Sequence, residues 1–247
     1  MFRDRRPEGA LPVATSGAAH GEAGRPLARQ KALGFGFVAL LSFLAGMTDA
    51  IGFLRAGDFL SFMSGNTTRL AIAIGEGNGG AILRLSAIVA VFVVGNASGV
   101  VVVRQSGGRQ WPLLLMVTIA TGAAALVAGP EPSPFAYLPL VLAMGMLNAA
   151  VDNVAGHPLG LTYVTGALSR FGKGIGRLLC GERNPGFLVQ IFPWIGMLAG
   201  AVTGVLLLRA LAEGALWCIG GFALCLTLGS LAVPRSWLRN SFGLTGP

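Results

Sequence analysis

The sequence predicts an all-α protein: a polytopic membrane helix bundle of about six transmembrane helices plus two short re-entrant or interfacial helices, built as two inverted three-helix repeats. Three observations carry this reading. The 247 residues are 53% hydrophobic and only 11% charged, against roughly a quarter charged in a soluble domain, so water is not their main solvent. Apolar runs long enough to cross a hydrocarbon core about 30 Å thick recur six times. The landmarks of residues 33–130 return in the same order in residues 131–234.

The apolar runs are 33–54, 85–103, 111–129, 135–151, 187–208 and 214–233. Each predicts a helix, because an isolated strand would leave its backbone polar groups unpaired in lipid. The 38 glycines fit membrane helices, where small residues let backbones approach. Residues 1–32 are rich in Arg, Gly, Ala and Pro and read as a disordered polar tail; 33–234 is the transmembrane domain and 235–247 a short cytoplasmic tail. The run starting at Leu33 is too long for the core of a cleavable signal.

The net charge of +8 is spread over the N-terminal tail and the ends of apolar segments, so it marks membrane orientation and predicts no nucleic-acid partner. The bilayer is the expected partner. Cys180, Cys218 and Cys225 form no CxxC pair, and His20 and His157 are the only histidines, so neither a metal nor a cofactor is expected.

The repeat rests on three alignments. Gly46-Met47-Thr48-Asp49-Ala50 matches Gly145-Met146-Leu147-Asn148-Ala149; "SFMSGNTTR" from Ser61 to Arg69 matches "TYVTGALSR" from Thr162 to Arg170; and Gly95 with Gly99 matches Gly196 with Gly200. Each half then holds three spans and one short segment, 58–76 or 160–179, after its first span. If the short segments do not cross, a cytoplasmic N-terminus places Arg104, Arg109, Arg170, Lys173, Arg177, Arg183, Arg235 and Arg239 inside. That balance favours inverted halves with both termini cytoplasmic.

A helix starting inside the membrane exposes unpaired N–H groups and the positive end of its dipole. Ser61, Ser64, Gly65, Asn66, Thr67 and Thr68 suit such a start, with hydroxyl and amide caps and a glycine that lets a ligand approach. Thr165 and Gly166 would be its partner from the second half, and Arg69 with Arg170 would add positive charge, so these residues form the expected binding site for a small polar solute, anionic or zwitterionic. Residues 160–179 equally describe an amphipathic helix on the cytoplasmic surface.

Asp49 is an acid within an apolar run, which makes it the first candidate for proton or ion coupling, with Asp152 second; Asp49 as a helix cap near the outer surface is the other reading. Gly196, Gly200 and Gly204 signal close helix packing, within the bundle or as a homo-oligomer seam.

Residues 45–69, "AGMTDAIGFLRAGDFLSFMSGNTTR", resemble the YoaK family of bacterial membrane proteins, a family of unknown function. The match runs through Ala45, Gly46, Asp49, Ala50, Gly52, Phe53, Leu54, Phe59, Ser61, Phe62 and Gly65 to Thr68, with Ser64 where the family has Thr. The resemblance implies a multi-pass protein of the bacterial inner membrane and supplies no mechanism. The function that the repeat and its paired motifs predict is a small secondary transporter or permease, not an enzyme. Two alternatives are an intramembrane enzyme with a serine nucleophile, which would need a base beside Ser61 or Ser64, and a non-transporting scaffold or regulatory subunit.

Overall fold

A computed structural model of the chain describes residues 19–129, 133–149, 153–154, 157–158, 164–183 and 185–232. Eight α-helices are present among them: α1 (Ala19–Ala56), α2 (Met63–Gly75), α3 (Gly79–Gln105), α4 (Trp111–Val127), α5 (Leu138–Asn148), α6 (Val164–Leu179), α7 (Ile191–Leu211) and α8 (Ala215–Ala232). A minimal antiparallel ladder pairs β1 (Asn153–Val154) with β2 (His157–Pro158). The six apolar runs correspond to α1, α3, α4, α5, α7 and α8, and the two short segments to α2 and α6. Helix α1 begins at Ala19, inside the stretch read as a polar tail, and its apolar part covers Ala32–Ala56. At about 1.5 Å per residue, the 27 residues of α3 span the bilayer, whereas the 13 of α2 reach about two thirds of the way across its core.

Side-chain size sets how the helices pair. A Cβ on Gly196, Gly200 or Gly204 would strike the main chain of Ala39, Phe43 or Met47, so α7 lies backbone against backbone on α1. Gly95 and Gly99 likewise meet the main chain of Leu142 and Met146, seating α3 on α5. The glycine run is thus buried within one chain, and the face considered for a homo-oligomer seam is covered by α1.

The registers fix the directions. Residue numbers rise together along α1·α7 and along α3·α5, so both pairs are parallel. The hydroxyls of Thr118 and Thr227 lie 3.0 Å apart while Gly220 faces Thr121, so α4 and α8 are antiparallel. Short links at 106–110 and 212–214 reverse the chain between α3 and α4 and between α7 and α8. Taking α1 as up, α7 is up, α8 down, α4 up, α3 down and α5 down. The first helix of the second half therefore runs opposite to the first helix of the first, and the two three-span halves are inverted. Each half lends its first span to the second span of the other, α1 to α7 and α5 to α3, so neither half closes its core alone.

Candidate functional site

Past α1 the chain reverses. Gly57 takes a left-handed conformation (φ 74°), and residues 58–62 run back along α1 rather than away from it. Asp49 holds that return: its Oδ1 accepts from the backbone N–H of Leu60 at 2.8 Å and of Ser61 at 2.6 Å, and its Oδ2 accepts from the Ser61 hydroxyl at 2.6 Å. Because Asp49 sits about 10 Å below Ala56 on the helix axis, these bonds carry the chain back into the depth of the span. Asn66 completes the clamp from α2: its Nδ2 donates to the Phe59 carbonyl at 2.6 Å and its Oδ1 accepts from the Phe59 N–H at 3.2 Å. Asn66 is 0% exposed and Asp49 4%, so the polar groups of a broken helix are satisfied internally at a depth where water is scarce.

The segment is therefore re-entrant, and its polar residues have divided tasks. Ser61 and Asn66 tie the loop, and the Thr67 and Thr68 hydroxyls donate back to the Met63 and Ser64 carbonyls within α2. Ser64 is exposed, and the residue preceding α2, Phe62, makes no side-chain cap. The expected capping by Ser64 and Thr67 is replaced by a loop held from α1. Gly65 is required because a Cβ there would strike the rings of Phe62 and Phe59.

Arg69 points away from the re-entrant tip. It donates to the Gly57 carbonyl and pairs with Asp58 at 3.1 Å; Arg84 of α3 pairs with the other Asp58 oxygen at 2.6 Å. Asp58 is buried between the two arginines. The sequence gives no local signal for this pairing, because Arg84 follows Arg69 by fifteen residues and lies in a separate helix.

Between α1, the re-entrant tip, the start of α6 and α7 lies an open cleft of about 470 Å³. Phe53, Phe59 and Phe62 form one wall, with ring centroids 4.8 and 5.3 Å apart in sequence; Met197, Ala201 and Val205 of α7 form the opposite wall; Val164 and Thr165 close one end. Asp49 and Thr165 are its polar contributors. The α7 wall is the helical column directly beside the glycine column, a register that fixes it once α1·α7 packing is known.

The cleft brings the loop before α2 beside the start of α6. It gathers Asp49 and Thr165, but Ser61, Ser64, Gly65, Asn66, Thr67, Thr68, Arg69, Gly166 and Arg170 do not line it. Arg170 instead donates to the Gln190 side chain at 2.8 Å, with Gly166 packed beside its guanidinium. Further along α6, Lys173 and Arg177 are exposed together with Ile175, Leu178 and Leu179, the composition of an interfacial amphipathic helix. Asn148, the repeat counterpart of Asp49, donates to Asn96 of α3 at 3.2 Å. Asp152 lies outside the described residues, as does the side chain of His157. No group of three or more potential metal ligands occurs among the described residues.

Residues 37–229 match the model of a family described as "Protein of unknown function (DUF1275)". The chain belongs to the DUF1275 family. A UPF0700 transmembrane protein of Rhizobium meliloti (strain 1021) is 47% identical to it over 210 residues, which is 85% of this chain and 91% of that one. No solved structure matches. The DUF1275 match takes in both halves, the re-entrant segment and the whole cleft lining, and begins within the apolar part of α1. The relative's description as a transmembrane protein agrees with the apolar helix bundle of this DUF1275 chain.

Proposed function

We propose that this protein is a small secondary transporter or permease of the bacterial inner membrane, with both termini cytoplasmic and its solute path through the cleft. The observation that carries the proposal is the position of the cleft: it lies where the re-entrant tip of one inverted half meets the start of the short helix of the other. That is the place where rocking one half against the other changes the side from which a solute enters. The arginine-rich ends of the second half and the basic N-terminal tail support the orientation.

The lining narrows the solute. Arg69 and Arg170 are committed elsewhere, so the positive charge that favoured an anion is missing from the cleft, and the Asp49 carboxylate opposes one. Three phenylalanines and the Met197, Ala201 and Val205 column favour a small solute with an apolar body and one hydrogen-bonding end. Asp49 is the coupling candidate, because a proton placed on it would weaken the bonds that hold the re-entrant tip.

Ala201→Phe fills the cleft from the α7 wall without touching the Asp49 clamp or the glycine seam. In proteoliposomes given a panel of small amphipathic, cationic and anionic solutes, wild type should accumulate members of the first group and Ala201→Phe should abolish that flux. Equal flux in both proteins for every solute moved removes the cleft from the pathway; no flux of any solute by wild type removes the permease reading.

A further inference from the structure

A second cavity, of about 260 Å³, opens between α2 and α3 at the end of the hairpin that joins them. Arg69, Arg84, Glu76 and Asn78 supply its polar lining, and Ala73 and Leu85 its apolar base. Arg84 approaches Asp58 with its Nε, at 2.6 Å, as an ion pair; among the described residues its two terminal nitrogens make no hydrogen bond. Its side chain is 26% exposed and that of Arg69 34% exposed, so both guanidinium groups reach the cavity while their inner edges neutralise buried Asp58. Glu76 lies across from them, exposed and without an ion-pair partner among the described residues. Asn78 is occupied in capping α3 through the Ala81 N–H at 3.1 Å.

Asp58 compensates one of the two arginines, which leaves one positive charge at the cavity wall and one negative charge, Glu76, at its rim. A guanidinium edge with two free nitrogens matches an oxyanion such as phosphate in bidentate geometry. The Glu76 carboxylate, in the same lining, matches an ammonium. The hairpin end is where α3 enters its apolar span, and Ile72 and Leu83 are exposed beside the cavity, 53% and 65% respectively, as they would be against acyl chains.

We propose that this cavity binds the zwitterionic aminophosphate headgroup of a membrane phospholipid, of the phosphoethanolamine type: phosphate on Arg84 and Arg69, ammonium on Glu76. The site is independent of solute movement through the cleft. The bound lipid would brace the α2–α3 hairpin and thereby the re-entrant tip at the other end of α2.

The test is native mass spectrometry and thermal unfolding of the full chain in detergent, with phosphatidylethanolamine, phosphatidylglycerol, glycerophosphoethanolamine or inorganic phosphate added. Phosphatidylethanolamine should be retained over phosphatidylglycerol by about threefold, the scale of a partly exposed ion pair, and should raise the unfolding temperature. Glu76→Gln, at an exposed position, should equalise the two lipids. Arg84→Lys keeps the charge on Asp58 and should weaken retention of both. Equal retention of the two lipids by wild type, or an unchanged preference in Glu76→Gln, overturns the proposal. Stabilisation by glycerophosphoethanolamine or phosphate equal to that by the lipid also overturns it, by assigning the site to a soluble anion.

Discussion

Removing the Asp49 carboxylate separates a structural clamp from a mere buried charge. Asp49→Ala strips the acceptor from two buried N–H groups, Leu60 and Ser61, and from the Ser61 hydroxyl. Each buried donor left unpaired costs about 1–3 kcal/mol, so a total of about 3 kcal/mol or more is expected even with incomplete additivity. Asp49→Asn keeps an oxygen for the two N–H groups, and its amide can donate to the Ser61 oxygen once that hydroxyl rotates. Its cost is the change from charge-assisted to neutral hydrogen bonds, about 1 kcal/mol. The assay is reversible unfolding in mixed micelles, together with thiol labelling of Leu60→Cys in a chain lacking Cys180, Cys218 and Cys225. Leu60 is 1% exposed, so its thiol should label slowly in the parent and in Asp49→Asn and many times faster in Asp49→Ala. Equal stability of Asp49→Ala and Asp49→Asn, or a labelling rate untouched by Asp49→Ala, would refute the clamp.

Two further outcomes follow from the fold. Gly200→Ala presses a methyl group against the Phe43 main chain, which has no rotamer with which to yield, and should destabilise by about 1–3 kcal/mol; Gly122→Ala, with open space at its Cβ, should be neutral or stabilise by up to about 1 kcal/mol. Equal effects at the two positions in the same unfolding assay would contradict the parallel α1·α7 seam. Cysteines at Glu76 and Gln105, both exposed, should react with an impermeant thiol reagent from opposite sides of sealed vesicles, because α3 crosses once between them. Labelling from one common side would overturn the inverted topology.

The spans are legible in the sequence because lipid imposes length and composition on every crossing helix, and the likeness of the two halves because glycines recur at matched offsets. The partnership of α1 with α7 is harder to see: Gly196, Gly200 and Gly204 announce a close approach but do not say to which helix, since only the three-dimensional register brings Ala39, Phe43 and Met47 opposite them. The same limit applies to "SFMSGNTTR". Its side chains look like a ligand cradle because they can cap a helix, yet those of Ser61 and Asn66 are spent on the chain's own return and those of Thr67 and Thr68 on carbonyls of α2. The aromatic wall of Phe53, Phe59 and Phe62 has neither helical nor strand spacing, as its residues come from a helix end, a loop and a helix start. Asp49 was legible as costly in the membrane; that it would be met by donors eleven and twelve residues ahead was not.

Asp49 and Asn148, at matched positions of the two halves, hold different partners. A carboxylate only accepts, so it suits a place where three donors converge, and the backtracking chain supplies Leu60, Ser61 and the Ser61 hydroxyl. An amide both gives and takes, which suits a bond between two helices, and Asn148 gives one to Asn96 across the α3·α5 seam. Helix α1 accordingly continues to Ala56 and receives the returning chain, whereas α5 ends at Asn148. The first short segment is then fixed at its tip by Asp49 and Asn66 and at its middle by the Asp58 ion pairs. The second is held along its length by Arg170 on Gln190 and by Gly174 against Phe187, with its basic face turned outward. The two ends of the cleft therefore differ in stiffness: breaking the Phe62 end requires exposing buried hydrogen bonds, while shifting the Val164 end slides an amphipathic helix along an interface. Free energies of local opening follow the buried contacts that must be broken, so under the permease proposal access to the cleft is expected to change first at Val164 and Thr165, with the clamped first half as its fixed wall.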